Sequence, residues 1–196
     1  MTTLFDLDSF TLTPLPPSAD ATRNWDVVGP GDAYLGRVEQ EVGSLIAVGR
    51  RWLTRRPETL AAMFRVRDAG GAVELIVQRS KHGLRHGTTV SAELADGQAV
   101  AGALMPRVGD GLDLRLTDPA GAVFAELRQE GPRFAAVRLD RGEVGSVAFG
   151  VQAPFGRPAI GDAAPGSFAF AWSTDADALV RIAALAAVIV HAARHR

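Results

Sequence analysis

Two clusters of basic residues are the part of this sequence best suited to bind a charged ligand. One surrounds a tryptophan in the segment RRWLTRR, and the other lies in the segment RSKHGLRHG. Their members are Arg50, Arg51, Trp52, Arg55, Arg56, Arg79, Lys81 and Arg85. Arginine pairs with phosphate and tryptophan favours lipid interfaces, so the clusters indicate an anionic phospholipid head group or another phosphate-bearing ligand. A solvated loop surface of the same composition stays the alternative.

The histidines raise the question of a metal site. His82 and His86 stand four positions apart, a spacing that on a helix would let them share a metal ion. The glycines after each of them indicate a loop instead, so we expect neither a metal nor another cofactor. His191 and His195 lie near the end of an apolar segment, where a cation suits the negative end of a helix dipole.

Motifs of enzymatic chemistry are missing from the sequence. It contains no Walker loop, no GxGxxG, no GxSxG and no cysteine, which excludes disulfides and thiolate chemistry. Carboxylates do not pair in a setting suited to acid–base catalysis. We therefore expect a protein that is not an enzyme.

The overall charge and the ends of the chain restrict its partners. Over 196 residues the formal net charge is −1, which does not favour nucleic acid as a partner. The start, MTTLFDLDSF, lacks the basic region of a signal peptide, and the apolar stretch 178–193 contains Arg181 and is shorter than the ~20 residues of a membrane span. We expect a cytoplasmic protein that contacts at most the inner face of the membrane peripherally.

A strand–turn–strand unit recurs along the chain and predicts β-hairpins. Its turns carry Asp and Gly, because Asp bonds to nearby backbone and Gly accepts a positive φ. The copies span 64–79, 90–104, 112–128 and 134–149, with a looser copy at 25–39. SLIAV at 44–48 and SFAFAW at 167–172 bring the predicted total to about twelve strands, and PETLAAMF at 57–64 predicts a short helix.

The N-terminal residues 1–24 are predicted to form an extended arm outside the main domain, 25–196. The arm contains TPLPP, a segment that could be a polyproline ligand for a protein partner or a plain extended arm.

The segment 177–194 predicts a helix that is buried on every side. Ile182 to Val190 contain no polar residue, and Asp175 and Asp177 precede the helix as capping residues. A barrel of about twelve strands is too wide for side chains alone to fill, and a helix ~10 Å across fits its lumen. The predicted fold is therefore a mainly β, closed antiparallel barrel around a buried C-terminal helix.

The order of these units resembles the tubby C-terminal-like superfamily, within it the phospholipid scramblase and LURP-one-related branch. The units FRVRDAGGAVELIVQR and LRLTDPAGAVFAELR and the ending TDADALVRIAALAAVIV carry the resemblance, which covers roughly 25–194. It implies a twelve-stranded barrel around a central helix, and lipid-related functions that range from phosphoinositide binding to calcium-dependent scrambling.

The calcium segment of scramblases is only partly present. Asp175 and Asp177 match its start, but the stretch LVRIAALAA offers no later carboxylate, and calcium prefers six to eight oxygen ligands. We expect a binding protein that recognises an anionic head group. The alternatives are a protein-interaction scaffold without a small ligand and, third, a phospholipid scramblase.

Overall fold

Twelve antiparallel strands close into a barrel in the computed structural model, which describes residues 3–16, 22–41, 62–80, 88–105, 113–150 and 166–193. The strands are β1 Ser9–Pro14, β2 Asn24–Val28, β3 Tyr34–Glu41, β4 Ala62–Asp68, β5 Val73–Arg79, β6 Thr88–Leu94, β7 Ala99–Met105, β8 Leu114–Thr117, β9 Val123–Glu130, β10 Arg133–Arg138, β11 Gly142–Phe149 and β12 Phe168–Trp172. Each strand pairs with its neighbours in sequence, and β1 pairs with β12 to close the barrel. The predicted fold class is confirmed.

Helix α1, Ala178–Ala192, fills the lumen. Its residues from Val180 to Val190 are all buried, and Ala183 to Val190 have no exposed surface. Burying one Leu or Ile side chain completely stabilises the fold by about 1.5–3 kcal/mol compared with leaving that side chain in water. The prediction that Ile182 to Val190 lie inside a barrel is confirmed.

The core is packed unevenly around the helix. Helix α1 lies against β6, β7 and β8, and the buried residues of β6 and β7 include the small Ala92, Ala101 and Ala103. The opposite wall, made of β12, β1 and β2, fills its wider gap with aromatic rings, including Phe10 stacked on Phe170 at 4.5 Å between centroids. Small residues allow the close approach, and large rings occupy the space that the off-centre helix leaves.

Two of the hairpin turns, β4–β5 and β8–β9, have the pattern Asp-x-x-Gly. Asp68 accepts a hydrogen bond from the Ala72 backbone at 2.8 Å, and Asp118 accepts one from Ala122 at the same distance. Gly71 and Gly121 close these turns with φ of +87° and +86°, a conformation that strains other residues. All five predicted hairpins form, including the looser first copy, β2 and β3.

Two predictions about the chain before β5 need correction. Ser9–Pro14, expected in an N-terminal arm, form the first barrel strand and pair with β2 as well as β12. Ala62 to Phe64, expected at the end of a short helix, begin β4, because their alternating side chains match the barrel wall. The predicted strand at 44–48 and the rest of that predicted helix lie outside the described residues.

The two ends of the barrel differ. At the turn end lie the Asp-containing hairpin turns and the start of helix α1. At the helix-exit end lie the last residues of α1, the end of β1 and the start of β2. The longer connections 42–61, 81–87, 106–112 and 151–165 join strands whose described ends are also at the helix-exit end.

Candidate functional site

A cavity of about 450 Å³ lies at the helix-exit end. Its described walls come from Pro14 and Leu15, from the start of β2, from β11 and β12, and from the end of helix α1. Ligand sites for small molecules occupy roughly 300–1,000 Å³ and are mostly apolar with a few polar groups, and this cavity has that character.

Aromatic rings form one wall of the cavity. Phe149 meets Phe168 edge-on at 5.7 Å between centroids, and it lies nearly parallel to the His191 ring at 6.2 Å. His191 also meets Phe134 edge-on at 5.4 Å. The imidazole is therefore held by ring packing at the end of the helix, where it borders the cavity.

Arg23 supplies the positive charge in the wall. Its side chain donates a hydrogen bond to the Ala192 carbonyl oxygen at 2.7 Å, at the last residue of helix α1. The carbonyl end of a helix carries about half a negative charge, so the guanidinium lies where the helix dipole favours a cation. The Arg23 backbone donates to the Gln40 side chain at 3.1 Å, which fixes the residue to β3.

The barrel interior becomes polar toward this end. Among the described residues the buried polar ones at the helix-exit end are Thr22, Gln40, Arg79, Thr88 and Ser167, whereas Thr117 and Arg181 lie toward the turn end. Burying polar groups costs free energy unless they are hydrogen-bonded. Their concentration at one end marks this end as the place where the fold departs from a purely apolar core.

Arg79 is the one residue of the predicted phosphate site that the structure describes. It follows Leu75 and Val77 at alternate positions of β5, so its side chain points into the barrel, and it is only 4% exposed. Arg79 is therefore not part of an exposed basic surface, and its role in binding phosphate stays a prediction. The other predicted site residues, Arg50, Arg51, Trp52, Arg55, Arg56, Lys81 and Arg85, lie outside the described residues, as do His82, His86 and His195.

The strands that flank the two basic segments are neighbours. β3, β4, β5 and β6 are consecutive in the barrel, and Glu41, Ala62, Arg79 and Thr88 all lie at the helix-exit end. Both segments are thus anchored at the same end of the barrel, beside the strand that contacts Arg23.

The sequence did not single out Arg23. It lies in the segment expected to be an arm, and its partner Ala192 is 169 positions away, so no local spacing signalled the contact. His191 was noted only for its place at the end of a helix, and its ring contacts with β10 and β11 had no counterpart in the sequence pattern.

The Asp residues before helix α1 have a structural role. Asp177 caps the helix, accepting from the Val180 backbone at 3.0 Å, and it also binds the guanidinium of Arg138. This confirms the predicted capping role for Asp177. In the described part of the chain no group of three or more acidic or histidine side chains is arranged to hold a metal ion.

The proline-rich segment is partly built into the barrel. Pro14 pairs with Trp25, and the Leu15 backbone donates to the Asn24 carbonyl oxygen at 2.9 Å. Pro16 is exposed, and Pro17 lies outside the described residues. The beginning of TPLPP is therefore sheet and cavity wall.

No family model matches the chain, and no curated protein or solved structure is significantly similar to it. The relation to the tubby C-terminal-like superfamily stays a prediction. Of the helices that the structure describes, none combines the length and apolar character needed to cross a bilayer.

Proposed function

We propose that the protein is a non-enzymatic binding protein that recognises an anionic phospholipid head group, or another phosphate-bearing ligand, at the helix-exit end of the barrel. The observation that carries the proposal is the convergence of strand ends. β3 to β6 bring the anchors of both basic segments to the end that also holds Arg23 and the cavity. Seven of the 21 basic residues of the chain stand in these two segments.

Charge alone would give weak binding. A basic residue near an anionic surface contributes about 1 kcal/mol, and the attraction is screened within a Debye length of ~8 Å at physiological salt. Four such residues acting together give about 4 kcal/mol, which corresponds to millimolar affinity. Binding tighter than millimolar needs a further contribution to the binding free energy, which the cavity at the same end of the barrel would supply by burying part of the ligand.

Membership of the scramblase and LURP-one-related branch is part of this proposal. Support comes from the twelve-stranded barrel around a helix, which is the fold that the resemblance implies. Within that branch we favour binding over lipid transport, because Asp177 is occupied by the helix cap and by Arg138. The protein would act in the cytoplasm, peripherally at the inner membrane face.

A flotation assay tests the proposal. Purified protein is mixed with vesicles of phosphatidylcholine alone or with added phosphatidylserine or phosphatidic acid, at several salt concentrations, with and without calcium. We expect binding only to the acidic vesicles, weaker as salt rises and independent of calcium. The Arg50→Ala/Arg51→Ala variant should bind less.

The matched control removes two exposed arginines from another part of the barrel. Arg37 and Arg141 are 41% and 59% exposed, and each is paired with an aspartate nearer the turn end. Arg37→Ala/Arg141→Ala should leave flotation unchanged. Equal losses in the two double variants, salt-independent binding or no binding to acidic vesicles would each overturn the proposal. If the TPLPP segment binds a protein and the chain does not bind lipid, the alternative function, a protein-interaction scaffold without a small ligand, would be favoured.

A further inference from the structure

We propose that the cavity at the helix-exit end binds an uncharged aromatic molecule, whose ring packs against the aromatic side chains of the cavity wall. The proposed function uses the cavity only as a place to bury part of its ligand. The inference goes beyond that function, because it assigns the cavity a preference for aromatic rings over saturated groups, and it holds or fails independently of head-group binding.

The described walls of the cavity are mostly apolar. Leu15, Trp25, Phe149 and Phe168 are among the residues that line it, and its volume of about 450 Å³ falls within the roughly 300–1,000 Å³ of small-molecule sites. Apolar ligand surface that leaves water for such walls gains free energy from the hydrophobic effect. The cavity therefore favours an apolar ligand.

Phe149 stands in a group of rings that hold one another in place. Its ring meets Phe134 edge-on at 4.7 Å between centroids and Phe168 edge-on at 5.7 Å, and it lies nearly parallel to the His191 ring at 6.2 Å. Phe149, Phe168 and His191 all line the cavity. Because neighbouring rings already position these side chains, a ligand ring can pack edge-on or offset against them with little loss of side-chain freedom.

The charges around the cavity favour an uncharged ligand. No Asp or Glu is among the described residues that line it, so a cation would leave water without gaining a carboxylate partner. Arg23 donates to the Ala192 carbonyl oxygen at 2.7 Å, and its guanidinium thereby holds the end of helix α1. An anion would compete with that carbonyl for the guanidinium, whereas an uncharged ring leaves the bond in place.

Three compounds built on the same fused-ring frame separate aromatic packing from simple burial. Isothermal titration calorimetry at neutral pH compares naphthol, which is uncharged, decahydronaphthol, which is its saturated counterpart, and naphthoate, which is an anion. We expect naphthol to bind about three- to tenfold more tightly than decahydronaphthol, because an aromatic pair contributes beyond the area that it buries. Naphthoate should bind more weakly than naphthol.

Each comparison can contradict one part of the proposal. Decahydronaphthol binding as tightly as naphthol would overturn the preference for rings. Naphthoate binding as tightly as naphthol, or more tightly, would overturn the preference for an uncharged ligand.

Phe149→Leu tests the location and the ring preference together. Leucine keeps the wall apolar but removes the ring, so the variant should bind naphthol no more tightly than decahydronaphthol. Phe124→Leu is the matched control, because Phe124 is likewise partly buried but lies on β9 near the turn end. It should keep the preference of the parent. A preference that survives in Phe149→Leu would overturn the site.

Ring-current shifts locate the ligand without any variant. A bound aromatic ring displaces the NMR resonances of nearby methyl groups, and Leu15 brings methyl groups to the cavity wall. These resonances should shift saturably with naphthol and much less with decahydronaphthol, which has no ring current. The methyl resonances of Leu139, 57% exposed at the turn end, should stay in place. Unmoved Leu15 resonances, or equal shifts at Leu139, would overturn the site.

The outcomes distinguish the two proposals. Flotation with acidic vesicles but no saturable binding of naphthol would overturn the cavity inference and leave the proposed function standing. Saturable naphthol binding that loses its ring preference in Phe149→Leu, with no flotation at any salt, would support the cavity inference and overturn the recognition of phospholipid surfaces.

Discussion

The guanidinium of Arg181 lies 2.7 Å from the main-chain carbonyl oxygen of Leu7. It also donates to Ala176 at 3.0 Å and reaches Phe5 and Asp8 at 3.3 Å. One buried side chain on helix α1 therefore fastens the N-terminal segment across the turn end of the barrel. Only one of these acceptors, Asp8, is a carboxylate. Hydrogen bonds to backbone carbonyl oxygens therefore offset most of the free-energy cost of burying the guanidinium charge.

Arg181→Met should destabilise the protein. The substitution keeps the apolar length but removes the donors, which leaves the carbonyl oxygens of Phe5 and Leu7 without that partner. We expect the free energy of unfolding in urea to fall by about 3 kcal/mol. Arg128→Met, at an outward position that is half exposed, should stay within about 0.5 kcal/mol of the parent, and equal values for the two variants would contradict the fastening role.

Ala187→Asp should unfold the domain. Ala187 has no exposed surface, and an unpaired charge buried there costs several kcal/mol against a total stability of about 5–15 kcal/mol. Circular dichroism and thermal unfolding measure the effect. Ala178→Asp, in the exposed first turn of the same helix, should be neutral or slightly stabilising because an acid suits the helix dipole there. A folded Ala187→Asp variant would mean that the helix does not fill the barrel.

Glu74→Gln should change how stability depends on pH. Partial burial raises the pKa of the Glu74 carboxyl above its ordinary 4.5, the charges of Asp68 and Asp6 add to this, and a backbone hydrogen bond from Leu4 opposes it. Between the unfolded and folded pKa values the native state holds more protons, so this group lowers stability as pH rises through that window. The variant should be more stable than the parent at pH 7 and equal to it below about pH 4. Urea unfolding midpoints of the variant and the parent between pH 4 and pH 7 test this prediction. A difference between the two proteins that does not change with pH would contradict it.

Asp177→Ala should weaken the start of the helix. Losing an N-cap carboxylate costs about 1 kcal/mol, and the contact with Arg138 is lost as well. Asp177→Asn keeps an acceptor for the Val180 backbone and should lose less. The measurement is the urea midpoint of each variant.

Calcium should stabilise the protein no more than magnesium does. A ligand raises stability only if it binds the native state more tightly than the unfolded state, and Asp177 already accepts bonds from Val180 and Arg138. Thermal unfolding in each ion checks this. A micromolar calcium site that disappears in Asp175→Asn/Asp177→Asn would contradict it.

The fold was predictable where local signals act. Asp68 and Asp118 with their following glycines specify hairpins through bonds within four residues, and hairpins in succession leave few topologies open. The unbroken apolar run in helix α1 then indicated a helix buried on every side, and the interior of a closed barrel provides such a place. β1 carried no such signal, because its pairing with β12 joins distant parts of the chain without a turn between them.

The site was less predictable for the same physical reason. Arg79 could have been placed inside, since it continues the alternation of Leu75 and Val77, but its charge suggested a surface. Arg23 and Ala192 meet only when the barrel is closed around the helix, and the cavity that both residues line is a property of that packing. Composition and spacing do not encode such a contact locally.

Helix α1, which fills the barrel, follows all twelve strands in the chain, and this order governs the events during synthesis. A ribosome delivers all twelve strands before it delivers helix α1, and the first strand has to wait for β12 before its free edge is covered. Emerging hairpins therefore carry apolar inner faces with nothing to pack against, a state prone to aggregation. The closing steps join distant segments and are slow by topology, so the stage before helix α1 emerges is a natural point for chaperone assistance.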